Sequence, residues 1–370
     1  MSTGRPTAFL YAPEFLSYDL GPKHPLQQRR LHLVCEQLLA RQVLKPPVAD
    51  GPVAYFRPSP VDEALLARVH TADYLDAVRR ASDGATGDWL DRFGLGAGDT
   101  PAFPGMYEAA RLYAGGTADA AALVLDGTAQ IAFNVAGGFH HAHPGRASGF
   151  CTFNDLAVGV LTLLDGGLER VAYIDIDAHH GDGVQACFWD DPRVLTISLH
   201  ESGRWLFPGT GFPDERGGPD ALGTALNLPF APGTGDAIWH EAFDAVVPEA
   251  LARFAPQALV LQLGADAHYG DPLAHLQLTA RGWLQALTKL LTLGSDLPIV
   301  VTGGGGYNLK TVERLWTLTT LACAGLPLPE DLLAEPEPPA IDRGQREQAA
   351  QYAQEAVRTL RRGLGWSLSL

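Results

Sequence analysis

Six short apolar runs, each closing on glycine or a polar side chain and separated by longer helical stretches, constrain this chain more than any other feature. They are TAFLY (7–11), QIAFN (130–134), VAYIDID (171–177), VLTISLH (194–200), ALVLQLG (258–264) and PIVVTGG (298–304). Short continuous apolar runs bounded by turn residues suit parallel strands buried on both faces. Between them, residues 27–43 carry Leu31, Val34, Leu38 and Leu39 at helical spacing, and 106–125, 154–165, 239–254 and 279–293 read the same way. The alternation predicts an α/β protein with a mostly parallel sheet covered on both faces. No linker or internal repeat interrupts it, so a single domain is expected over residues 1–370, with its core at about 8–325. The Pro- and Glu-rich segment 334–344 is expected to wrap the surface, and 345–362 to form a polar terminal helix packed on the body.

The chain has 370 residues, 46% of them apolar, with 41 Gly and 27 Pro, a profile of a loop-rich enzyme rather than a fibrous or disordered chain. A net charge of −15 disfavours direct contact with nucleic-acid phosphates and would attract cationic substrates, although it also serves plain solubility. The opening MSTGRPTAFLYAPEF lacks a basic start followed by an apolar run, and no stretch reaches the ~20 apolar residues that span a bilayer. Cys35, Cys151, Cys187 and Cys323 are scattered without framework spacing and read as reduced, buried hydrophobes. A soluble cytoplasmic protein, off the membrane, is the expectation.

Polar clusters close four of the six strands: GGFHHAH, DIDAHHGDG, LGAD and GGGGYN. Carboxyl ends of parallel strands converge on one crevice, so these clusters are expected to meet. In YIDIDAHHGDG (173–183), Asp175, Asp177 and His179 share a face if the extended geometry persists. Carboxylates side by side need a cation or a donor, and a divalent metal accepts both carboxylate oxygen and imidazole nitrogen. Asp177 and His179, with Asp266 at the end of a very apolar strand as third ligand, would leave one coordination position open. A hydrogen-bonded strand end is the plainer reading of DxDxH taken alone.

His140 and His141 follow a Gly-Gly turn and are either loop histidines or the acid and base that amide hydrolysis requires. In the second case each ring needs an orienting carboxylate, which Asp175 and Asp182 could supply. Tyr307 follows four glycines with no phosphate-binding continuation, so it is either a packing residue or one whose hydroxyl a flexible turn presents to a developing oxyanion. Phe150 and Phe207 suit either the core or a substrate channel.

Taken together, GGFHHAHPGRASGFCTFND (137–155), YIDIDAHHGDGV (173–184), ISLHESGRWLFPGTG (197–211), LQLGADAHYGDPL (261–273) and GGGGYN (303–308) resemble the zinc-dependent histone deacetylase family in order and spacing. YDLGPKHPLQQRRL (18–31) is similar to its opening region, and GLGAGDTPAFPGM (94–106) to the bacterial acetoin-utilisation type. The resemblance implies an arginase-like α/β/α sandwich and removal of acetyl groups from Nε-acetyl-lysine in proteins or peptides. It implies Zn2+, or Fe2+ in the cell, on Asp177, His179 and Asp266, with His140–Asp175 and His141–Asp182 as acid–base pairs. His141 would protonate the leaving amine and Tyr307 would polarise the carbonyl. Gly149, Phe150 and Phe207 would line the substrate tunnel, with Asp99 as rim carboxylate. A structural K+ is implied at Asp175, Asp177, His179, Ser198 and Leu199, and a second monovalent site near Phe188, Asp191 and Val194. An acetylpolyamine amidohydrolase would share the site behind a different mouth. A binuclear ureohydrolase would want a further carboxylate at position 268, where His268 stands, and a silent acetyl-lysine binder would lack turnover altogether. The oligomeric state is not legible.

Overall fold

The computed structural model describes residues 5–44, 52–96 and 98–367. The first four residues of the opening segment, the last three of the chain, and Ala97 within the 94–106 motif therefore lie outside the description. Eight strands form one sheet: β1 (Thr7–Leu10), β2 (Ala54–Phe56), β3 (Ile131–Asn134), β4 (Val171–Asp175), β5 (Val194–Glu201), β6 (Ala225–Phe230), β7 (Ala258–Gln262) and β8 (Ile299–Thr302). Their order across the sheet is β2-β1-β3-β8-β7-β4-β5-β6, and every neighbouring pair is parallel. The six expected strands occupy its centre, and both additions beyond them, β2 and β6, are its edges.

Helices cover both faces, as continuous apolar strands require. On one side α4 (Met106–Leu125) and α5 (Asp155–Asp165) pack together over the central strands, with α2 (Glu63–Val69) and α3 (Ala72–Ser82) beyond them. The other layer runs in series through α1 (Arg29–Ala40), α9 (Leu309–Cys323), α8 (Ala280–Leu293), α7 (Asp236–Phe254) and α11 (Arg343–Gly363), each against the next. Trp316 and Trp283 pin α9 and α8 to the sheet by donating indole N–H bonds to the carbonyls of Leu263 and Gly264. Short helices α6 (Asp182–Cys187) and α10 (Glu330–Leu333) complete the set. Among the described residues no helix is long and apolar enough to cross a membrane.

The 334–344 segment does run along the surface. Glu335 anchors it by accepting from the Ala280 amide at 2.6 Å and the Arg314 guanidinium at 2.9 Å, and it pairs with His268 at 2.8 Å. The expected strand 171–177 stops at Asp175. Beyond it Asp177 and His179 sit in a bend, so they are not successive members of one strand face. The bend arises because the Asp175 and Asp177 carboxylates accept the amides two residues ahead, a local competition with the ladder.

Candidate active site

Four adjacent central strands deliver the site. β3, β8, β7 and β4 are consecutive neighbours, so the turns leaving their carboxyl ends share one crevice. His140 and His141 come from the first, Tyr307 from the second, Asp266 from the third, and Asp177 and His179 from the fourth.

The ligating atoms of Asp177, His179 and Asp266 lie within 4.8 Å of one another, and all three residues are buried. His179 Nδ1 sits 3.1 Å from Asp177 Oδ1 and 2.9 Å from Asp266 Oδ2. Burial, and then the charge of Asp177, push the Asp266 carboxyl up to about 7 against the pull of His179. Two buried carboxylates brought this close, with an imidazole nitrogen between them, form a donor set suited to a divalent cation. Their remaining oxygens are taken by donors that fix their orientation: Gln262 Nε2 and the Gly305 amide on Asp177 at 2.7 Å each, and the Ala178 amide on Asp266 at 2.8 Å. The Gly-rich loop owes its composition to this approach. A Cβ on Gly305 would fall 2.0 Å from Asp266 Oδ2, so only glycine admits the backbone there.

Each catalytic histidine candidate has the carboxylate expected for it. His140 Nδ1 lies 2.7 Å from Asp175 Oδ2, and His141 Nδ1 lies 2.7 Å from Asp182 Oδ1. The two Nε2 atoms face each other at 3.0 Å. With both Nδ1–H groups donating to carboxylates, that contact requires one shared proton. Burial opposes charge on both rings. On His140 the Asp175 and Asp177 carboxylates outweigh it, raising the ring to about 9. On His141 burial and the charge of His140 prevail, lowering it to about 3. Both shifts favour His140 over His141 as the ring that carries the shared proton. Asp182, despite burial, is held well below the usual carboxylate range by His141 and His143.

The remaining expected residues border this cluster. Phe207 meets the His141 ring edge-on at 4.9 Å, and Phe150 meets Tyr307 edge-on at 5.7 Å. Phe150 and Tyr307 line a cavity together with Gly149, His140, His141, Gly304 and Gly305. Phe150 has φ +70°, a conformation that costs a bulky residue about 1–3 kcal/mol. Tyr18, donating to its carbonyl, and Thr100, accepting from its amide, hold it there. Asp99 is exposed beside the tunnel, its carboxylate accepting from the Gly149 amide at 3.0 Å and the Thr100 hydroxyl at 3.1 Å. Asp175 and Ser198 are register partners on β4 and β5, where a K+ ligand set is expected. At the second expected site, the Asp191 carboxylate is bound by Arg193.

Four contributors escaped the sequence reading. Asp155 grips the Gly138 and Phe139 amides and so sets the His-His turn. Gln262 orients Asp177. His143 is the second partner of Asp182, and Asp271 accepts the Tyr307 amide at 2.7 Å. A lone glutamine inside ALVLQLG was the one available signal among these.

Comparison with known proteins agrees with this geometry. The histone deacetylase domain model matches residues 24–323. The chain belongs to the histone deacetylase family. It is 41% identical over 327 residues to the acetoin utilization protein AcuC of Bacillus subtilis, covering 87% of this chain and 83% of that one. Against AcuC of Staphylococcus xylosus the identity is 36% over 337 residues, covering 89% and 85%. The structure of an HDAC homolog from Aquifex aeolicus superposes with a TM-score of 0.83 at 27% identity, covering 94% of this chain and 100% of the homolog. A structure of an HDAC homolog complexed with SAHA gives 0.83 at 28% identity, covering 94% and 99%. This arginase/deacetylase-like fold and an AcuC-like deacetylase are what the sequence motifs imply.

Proposed function

We propose that this deacetylase hydrolyses the acetyl amide of Nε-acetyl-lysine in proteins or peptides, using one divalent metal on Asp177, His179 and Asp266, zinc or, in the cell, iron. The observation that carries the reading is the meeting of two histidine–carboxylate pairs, the Asp/His/Asp cluster and Tyr307 in one buried crevice. The bound metal would supply Lewis-acid polarisation of the carbonyl and a water of lowered pKa. Neutral His141 takes a proton from the attacking water and returns it to the leaving amine as the C–N bond breaks, giving acetate and free lysine. His140 keeps its proton, and its charge offsets that developing on the carbonyl oxygen. The Tyr307 hydroxyl donates to that same oxygen. Gly149, Phe150 and Phe207 flank the acyl-lysine stem, and Asp99 meets the peptide at the rim. K+ at Asp175, Asp177, His179, Ser198 and Leu199 would stiffen the loop carrying the metal ligands. We place the enzyme in the cytoplasm because its four cysteines are all free, as suits a reducing compartment.

The test is turnover of acetyl-lysine peptides against acetylated polyamines with defined zinc or iron, SAHA serving as the inhibitor. Peptide turnover blocked by SAHA is expected. Tyr307→Phe should retain its metal and lose on the order of 100-fold in kcat. A preference for acetylpolyamine would overturn the substrate, and full activity in the variant would overturn the role of Tyr307.

A further inference from the structure

The terminal helix α11 begins at Arg343, beyond the 24–323 region matched by the family model, yet it contacts the turn that leads to Phe207. Three contacts of its Tyr352 fall on the turn that leaves β5. The Tyr352 hydroxyl lies 2.7 Å from Ser202 Oγ. The Trp205 ring meets it edge-on at 5.2 Å, and the Arg204 guanidinium lies over it at 5.7 Å. Ser202 is the pivot of that turn. It is fully buried, its amide continues the ladder to Phe230, its carbonyl accepts the amides of Trp205 and Leu206, and its Oγ accepts that of Arg204. Five residues beyond Ser202 stands Phe207, packed on His141 and 42% exposed. Leu206 packs against the core, whereas Trp205 is 50% exposed and rests on Tyr352.

Resting on the deacetylase reading above, we propose that Tyr352 is a positioning residue that fixes the Ser202–Phe207 turn and thereby sets the Phe207 side of the substrate tunnel. Such a residue acts on substrate binding, not on the proton transfers of His140 and His141. Releasing the turn lets Phe207 leave its place against His141. The tunnel then grips the acyl-lysine stem less well, whereas the metal ligands and histidines, carried by other strand ends, keep their geometry.

The experiment compares Tyr352→Ala and Tyr352→Phe with Val357→Ala, a buried position on the same helix that faces α7 instead. Tyr352→Ala should raise KM for an acetyl-lysine peptide about fivefold, as losing one hydrogen bond and a ring contact would, with kcat within about twofold of the parent. Tyr352→Phe, which keeps the ring, should fall between. Amide exchange at Trp205 and Leu206 should accelerate in Tyr352→Ala and not in Val357→Ala. Unchanged KM and unchanged exchange in Tyr352→Ala overturn the proposal, as does an equal rise in KM from Val357→Ala. If the parent protein turned over no acetylated amine, the deacetylase reading would fall, and the exchange measurement would still decide whether Tyr352 braces the turn.

Discussion

His70 shows how one buried side chain ties fold to site. Its Nε2 accepts the Asn154 amide at 3.0 Å, and its Nδ1 faces the His143 carbonyl at 3.1 Å, so the ring is locked as the neutral Nδ1–H tautomer. Asn154 in turn caps α5 and donates to the Ala142 carbonyl, next to His141. Burial lowers His70 to about 4, from an ordinary value of 6.5. Between those two values the unfolded chain binds a proton that the folded chain refuses. Its contribution to stability is therefore complete above pH 6.5 and is lost as pH falls towards 4, roughly 3 kcal/mol in all. Unfolding free energy measured across this window should fall with acid about one proton less steeply in His70→Gln than in the parent. Equal slopes, or a His70 ring that NMR finds charged at pH 5, would refute the lock. Residues of this supporting kind were the least legible in the sequence. Asp177, His179, His140 and Tyr307 stand at strand ends in unusual company, whereas Asp155 and His70 act through distant partners such as Gly138 and Asn154, 17 and 84 residues away, which spacing cannot reveal.

At the scale of elements, α4 carries Gly115 and Gly116 in its interior, each less favourable there than alanine by about 1 kcal/mol. Close approach explains them. A Cβ on Gly115 would sit 1.8 Å from the Ser59 carbonyl oxygen and 2.5 Å from the Val61 nitrogen, both backbone atoms that cannot swing aside. Gly115→Ala should therefore lower stability by about 1–3 kcal/mol in chemical denaturation, helix propensity notwithstanding. A stabilised variant would show that the 59–61 segment yields freely. The six central strands were readable because burial on both faces leaves nearly unbroken apolar runs. The edges were not. β2 has three residues, none of them fully buried, and β6 contains Pro229, which cannot donate to a ladder and is tolerated on an edge. α9 also escaped, because threonines at 317, 319 and 320 weaken a helical reading. In place their hydroxyls donate to the carbonyls four residues back, which satisfies them within the helix.

For the molecule as a whole, the metal cluster links binding to stability, since its ligands come from turns 87 residues apart that meet only in the folded chain. A cation that binds the native state alone stabilises it by RT ln(1 + [L]/Kd), about 2.7 kcal/mol at a hundredfold excess over Kd. Chelated protein should unfold at lower denaturant than zinc-loaded protein, and the difference should vanish in Asp266→Asn, a readout that requires no turnover. The count of ions also separates two chemistries. A second cation would need a carboxylate near Asp266 at position 268, where His268 is committed to Glu335 at 2.8 Å. Titration should therefore end at about one zinc per chain. Two per chain would mean that His268 releases Glu335 to bind metal, and the surface segment around residue 335 would loosen with it. If chelation left the unfolding midpoint in place and no zinc bound, the three convergent ligands would be only a buried hydrogen-bond cluster.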